Sequence, residues 1–419
     1  EGGPSLRSRP FVITDADRAH WAFQPVQSAV VPKGSQPIDH LLQVRLRSSG
    51  LQPNPPATPR EQVRRAYLDL WGLPPSPEVV TEFERHPTDA AWVALIDRLL
   101  ESPHYGERWG RHWLDLVRYA ESNGYERDGP KPHAWRYRDY VIDSFNSDKP
   151  YDQFVREQLA GDELAEAALQ SELTLTPKWR ASLIATGFYR LHIWDDEPDD
   201  TAAAEFDDLD DILSTTSTTF LGLTIGCARC HDHKFDPISQ ADYYSLLGFL
   251  RNIDGYGQQH TGGGGRGTGK ITRPLATVSE SSRWHSQREA RLNELRQRVR
   301  QASGTEVKKS AEAGLKQAEA ETPPFDFALA VAENGPKPRP TRILLRGDVQ
   351  TPGAEVPPAF PGIFAQPTPT PPDRSNEATS TGRRRQLAEW MSDPRNPLTA
   401  RVIANRVWLH HFGSGLVPT

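Results

Sequence analysis

The sequence predicts a mainly α fold: a multi-helix domain, a charged helical insertion, and a smaller Pro-rich β segment. Three observations carry that expectation. Apolar residues recur at helical spacing in one segment after another between residues 58 and 250. Two of those segments open on a capping box, Ser or Thr followed three residues later by an acid. A strand-like run, Thr341-Arg342-Ile343-Leu344-Leu345, stands inside the Pro-rich stretch from Phe325 to Pro372.

The elements follow in order. Residues 1–35 read as an extended arm, with Trp21 and Phe23 as docking anchors. Residues 36–256 read as one helical domain. Within it, Thr58-Pro59-Arg60-Glu61 joins a capping box to a proline at the first helical position. Val63, Ala66, Tyr67 and Leu70 then recur at helical spacing until Gly72 and Pro74-Pro75 stop the helix. Ala91 to Leu100 repeats the pattern, and Tyr105 to Tyr119 presents Trp109, His112, Trp113 and Leu116 on one face. Trp135 to Leu164 is helical with a break near Pro150, and Phe188 to Trp194 is a short apolar piece. Asp207 to Gly222 is a helix, and Ser239-Gln240-Ala241-Asp242 opens another, to about Leu250.

Composition then shifts. Residues 257–278 are a Gly-rich linker, 279–324 a charged helical insertion with a thin apolar stripe, and 325–375 the Pro-rich β segment. Residues 376–419 open a second helical domain, helical from near Gly382 to Phe412 and expected to continue past Thr419.

Composition also narrows the function classes. The chain has 419 residues, enough for two or three domains. Its 49 Lys and Arg against 55 Asp and Glu give a net charge of −6, which argues against a nucleic-acid partner. Mean hydropathy is −0.64 and no long apolar run exists, so no transmembrane segment is expected. The amino-terminal EGGPSLRSRP lacks the apolar core of a signal peptide, so an export signal would have been removed or lie outside this sequence. Only two cysteines are present, which excludes a disulfide framework and a four-cysteine zinc site.

Those cysteines form Cys227-Ala228-Arg229-Cys230-His231. Two thiols at i and i+3 on one turn each reach a haem vinyl group, and the next residue falls under the iron as axial ligand. Two cysteines and 13 histidines scattered at random would give this arrangement roughly once in several thousand sequences. The competing readings are a redox dithiol and zinc held by both thiols with His231 and His233. The leading expectation is one covalent haem c, bound through Cys227, Cys230 and His231, with His231 ligating the iron.

The opposite axial position is less constrained. Met391 is the one methionine, and His233 sits too near His231 to reach the other face. His104, His112, His133, His192, His410 and His411 remain, or an open site; His112 ranks first and His192 second. A histidine on an apolar helix face is nonetheless more often a satisfied core residue.

Other clusters have bland explanations beside functional ones. Residues 195–211 hold ten acids and no base, without calcium-loop spacing; a solvated loop and acids at a helix start explain them better than calcium. Arg108, Arg111, Arg118, Arg136 and Arg138 suit haem propionates or an anionic substrate such as a sulfated sugar, or pair structurally beside Asp115 and Asp139. Tyr119, Tyr125, Tyr137, Tyr243 and Tyr244 suit a haem pocket wall or core packing equally. Gly262 to Gly269 lacks the Lys-Ser/Thr ending of a phosphate loop.

The stretch from Cys227 through His-Asp-His-Lys-Phe-Asp-Pro to Ile238 resembles the planctomycete-type cytochrome c domain family, large proteins with two adjoining domains of unknown function around a CxxCH motif. Trp21 to Val26, Arg65 to Pro75, Tyr105 to Asp115, Arg118 to Tyr125, Trp135 to Tyr140, Asn396 to Val402 and Phe412 to Leu416 extend the resemblance over nearly the whole chain. It implies that residues 36–256 form the first unknown-function domain and that the second opens near residue 380. With the motif, it also implies a periplasmic or cell-surface location, because haem c attachment is completed outside the bacterial cytoplasm. No substrate comes with the family.

Three functions are compatible with this reading: electron transfer to or from a redox partner protein, a haem-dependent oxidoreductase acting on peroxide or a carbohydrate-derived substrate, and a structural or assembly role in which haem stabilises the fold. Oligomeric state is not legible.

Overall fold

The computed structural model describes residues 11–125, 128–171, 174–193, 195, 198–254, 272–370, 372–376 and 378–418. The mainly α expectation is met: sixteen α-helices and four short strands stand among the described residues. The Gly262 to Gly269 segment lies outside them, as do Asp196 and Glu197 of the acidic stretch.

Local signals do what their chemistry predicts. Thr58 caps the Pro59–Leu70 helix with a reciprocal capping box through Glu61, and Ser239 does the same for Gln240–Leu247 through Asp242. The helix from Trp135 divides where expected, into Ala134–Asn146 and Tyr151–Leu164, because Pro150 cannot continue the first. The helix expected from Tyr105 to Tyr119 is Pro103–Leu116, starting two residues earlier because Ser102 caps it.

A first, smaller core joins the helices between residues 59 and 100 through Val63, Tyr67, Leu70, Phe83, Leu95 and Leu99. The main core runs from Trp113 to Leu398 and includes Tyr137, Phe154, Phe188, Phe220, Tyr244 and Phe249. Leu387, Trp390 and Met391 of the Arg383–Met391 helix belong to this same core. Arg384 locks that helix down: fully buried, it meets Asp162 at 2.7 Å, Glu163 at 3.3 Å and Glu333 at 2.7 Å. The carboxy-terminal helical stretch is interrupted around Pro394 and Pro397 and resumes as Thr399–Phe412.

The charged segment folds as a hairpin of two helices, Val278–Gln301 and Thr305–Glu319, turning at Gly304. Arg288 donates to the Glu319 carbonyl at 2.8 Å and Arg291 meets Glu321 at 3.0 Å, which sets the antiparallel register. The strands make two antiparallel pairs, Thr272–Pro274 with Phe327–Leu329 and Thr341–Leu344 with Pro352–Val356. The second pair is the hairpin that matters for the site, since it packs on the Gln240–Leu247 helix. No helix among the described residues is long and apolar enough to cross a membrane.

Candidate functional site

The Thr201–Thr216 helix delivers the cysteine motif. It passes into a π-helical turn, Ser217–Leu221, and stops at Gly222, whose φ of 65° only glycine adopts at low cost. The close approach of Val402 from the carboxy-terminal helix adds to the requirement, since a Cβ at Gly222 would sit 2.9 Å from its Cγ2. The chain then forms a 3₁₀ turn, Ile225–Arg229.

That turn decides the orientation of the thiols. With three residues per turn, positions i and i+3 eclipse. Ile225 and Ala228 are wholly buried in the main core, so Cys227 and Cys230 are carried to the outer side, where both are free thiols exposed to solvent.

The backbone of the turn is held from three directions. The Arg229 carbonyl accepts from Gln240 Nε2 at 2.9 Å and from the Tyr244 hydroxyl at 3.0 Å. The second Gln240 amide hydrogen goes to the Leu344 carbonyl at 3.0 Å, tying the turn to the strand hairpin. The Arg229 guanidinium lies 2.7 Å from Asp207 and 3.7 Å from Asp210 on the preceding helix. Burial pushes the Asp210 carboxyl up, partly offset by the hydrogen bond it accepts from Tyr243. The Tyr244 phenol is pushed up to about 12, chiefly by burial, so it remains a donor. Asp232 accepts from the Gln240 amide at 2.9 Å, a carboxylate at a helix start.

His231 and His233 are held in opposite tautomers. The His231 Nδ1 lies 2.7 Å from the Asp232 carbonyl and must donate to it, which leaves Nε2 as the free lone pair of an exposed ring. The His233 Nδ1 instead accepts from the amides of Phe235 at 3.3 Å and Asp236 at 2.8 Å, and so shapes the loop. Among the described residues, no three His, Cys, Asp or Glu side chains are arranged to hold a metal ion, so the zinc set of both thiols with His231 and His233 is not assembled.

The two distal candidates have partners of their own. His112 stacks on His410 at 3.7 Å beside Trp109, and burial and then His410 depress it to about 4. His192 is buried, with Nε2 3.1 Å from Asp208. His104 pairs with Glu107 at 2.8 Å, His133 stacks near Phe327, His411 faces Asp69 at 3.7 Å, and Met391 is fully buried.

Besides Asp207 and Asp210, which share Arg229, other described acids of the 195–211 stretch reach partners of their own. Asp200 caps their helix, Glu205 meets Arg251 at 2.6 Å, Asp208 meets His192, and Asp211 accepts from Arg118 at 2.7 Å. Arg136 and Arg138 are likewise paired, with Asp326 at 3.0 Å and Asp139 at 2.8 Å. Tyr137, Tyr243 and Tyr244 are buried, whereas Tyr125 is exposed.

The residues that sequence reasoning missed are Gln240, Asp232 and Gly347. A Cβ at Gly347 would lie 2.7 Å from the Cys230 Sγ, so the tip of the strand hairpin stands directly against one thiol.

The family model for PSCyt2, a protein of unknown function (DUF1549), matches residues 37–255, more than half of the chain. The chain belongs to the PSCyt2 family. A second model, PSD1, also a protein of unknown function (DUF1553), matches residues 383–419. The cysteine turn lies near the end of the PSCyt2 match, and Arg384 stands at the start of the PSD1 match, buried against acids of the first region. No curated protein and no solved structure matches the chain.

Proposed function

We propose that this PSCyt2 protein is an exported c-type cytochrome that carries one covalent haem and passes electrons to or from a redox partner protein. The observation that carries the reading is the donor set on one turn: two exposed free thiols three residues apart, followed by a histidine whose Nδ1 is engaged and whose Nε2 is open. A redox dithiol accounts for the thiols but gives that histidine no task.

The residues present fit a haem c. Cys227 and Cys230 would hold the macrocycle as thioethers, and His231 would ligate through Nε2. The Asp232 carbonyl fixes the His231 tautomer and makes the ring a stronger donor. Gln240 and Tyr244 keep the turn from unwinding by holding the Arg229 carbonyl between the cysteines. When bound, haem supplies a reversible one-electron change at its iron. Attachment outside the cytoplasm carries a periplasmic or cell-surface location with it.

A second reading, a haem-dependent oxidoreductase acting on peroxide or a carbohydrate-derived substrate, draws support from the distal candidates. His112 is stacked on His410 and His192 Nε2 faces Asp208, an arrangement that favours an open sixth position.

The test is a pyridine haemochrome assay with a haem-stained denaturing gel, on protein made with c-type maturation factors. Haem that stays with the polypeptide and is lost in the Cys227→Ala, Cys230→Ala double variant supports the cytochrome. Absence of covalent haem in the unaltered chain under those conditions refutes it. Carbon monoxide binding to the reduced protein separates the open-site reading from a two-ligand electron carrier.

A further inference from the structure

We infer that the hairpin tip Leu345–Gly347, which neither matched region covers, is part of the haem-attachment site and positions the Cys230 sulfur. The inference rests on the cytochrome reading. It starts from one contact: there is room for the Cys230 thiol only because residue 347 has no side chain.

The tip is built to hold that place. Arg346 and Gly347 have φ of 57° and 75°, and left-handed backbone at a non-glycine residue such as Arg346 is uncommon. Surrounding bonds impose it. The Leu345 amide donates to the Thr351 carbonyl at 3.1 Å, and the Leu345 carbonyl accepts from the Asp348 amide at 3.2 Å and the Thr351 hydroxyl at 3.1 Å. Gln240 then ties the Leu344 carbonyl to the Arg229 carbonyl, at 3.0 and 2.9 Å, so the tip and the thiol turn move as one. The result makes the two thiols inequivalent, since Cys230 is backed by the tip. Leu345, two residues before Gly347 on that tip, is 55 % exposed and leaves apolar surface open to solvent.

The chemistry explains why a fixed sulfur matters. In thioether formation the S–H bond breaks, sulfur bonds to one vinyl carbon and the hydrogen adds to the other, with no oxidant consumed. The sulfur must therefore face one carbon of a vinyl group already placed by His231, and a displaced sulfur leaves that vinyl intact. Gly347 is thus a positioning residue.

The experiment uses the full chain with Gly347→Ala, and Gly304→Ala as control. Gly304 has a φ of 92° and nothing within 4 Å of its Cβ position, so it carries the backbone cost without the thiol contact. Two readouts are taken. On protein made with maturation factors, the pyridine haemochrome α-band reports how many vinyls remain. On protein without haem, iodoacetamide labelling followed by peptide mass spectrometry gives the Cys230 to Cys227 rate ratio.

The expected result is a red-shifted, single-thioether band in Gly347→Ala only, with the Cys230 ratio raised because the added methyl pushes the sulfur off the tip into solvent. An unshifted band together with an unchanged ratio overturns the inference while leaving the cytochrome intact. If the unaltered chain takes no covalent haem, the cytochrome reading falls and this inference with it. The labelling ratio then shows separately whether the tip guards the thiol.

Discussion

Replacing Arg384 by Met should destabilise the protein more than any surface change of similar size. The side chain is wholly enclosed, and the three carboxylates it meets are 5 % exposed or less: Asp162 at 2.7 Å, Glu163 at 3.3 Å and Glu333 at 2.7 Å. Arg273 adds a second guanidinium 3.2 Å from Asp162. The burial of these acids weighs most on one of them. Glu163 is that acid, its carboxyl pushed up to about 8 by burial and by Glu333 and Asp162, against the pull of Arg384. Removing the guanidinium leaves buried carboxylates uncompensated, a change that costs about 3–5 kcal/mol. The effect should reach both matched regions, because Arg384 pins the Arg383–Met391 helix to Tyr151–Leu164. Equilibrium urea unfolding followed by tryptophan fluorescence at pH 7 measures it. Adding Asp162→Asn and Glu333→Gln to Arg384→Met should recover much of the loss, since the cost is unpaired charge rather than lost volume. A single variant within about 1 kcal/mol of the parent would refute the reasoning.

Glu163→Gln tests the same network through pH. The native carboxyl stays protonated up to about 8, whereas the unfolded chain ionises above its ordinary 4.5, so unfolding releases a proton in between. Native stability should therefore decline as pH rises through that window, and Glu163→Gln should flatten the decline in urea midpoints taken at several pH values. A second pair of substitutions probes backbone approach. Gly161→Ala would drive a Cβ into the Ser182 carbonyl and should cost about 3 kcal/mol, read as a lowered melting temperature. Gly314→Ala, on an open helix face, should instead stabilise by about 0.5–1 kcal/mol in the same assay.

Much of the helical framework was legible because its causes are local. Thr58 and Ser239 announce their helices through a donor–acceptor exchange that spans three residues, and both boxes form. Pro150 divides the helices around it for an equally local reason. The cysteine turn was legible as a candidate motif for the same reason, since thiols at i and i+3 and an adjacent histidine lie within five residues. The His112 position shows the limit. Its helical face is plain from the spacing of Trp109 and Trp113, but its stacking partner, His410, stands 298 positions away.

By itself, then, the sequence located many of the helices and several of their starts and stops, and it singled out Cys227, Cys230 and His231 as candidate cofactor ligands. Each of these follows from hydrogen bonds and periodicities that close within a turn or two. Tertiary structure decided which side of the 3₁₀ turn faces water, because only the core around Ile225 and Ala228 draws those two inward. It also decided that Gly347 stands against Cys230 and that Arg384 gathers Asp162, Glu163 and Glu333. Such contacts join residues fifty to more than two hundred positions apart, and no local pattern encodes them. They exist because apolar burial brings distant segments together, and each buried charge must then find its partner there.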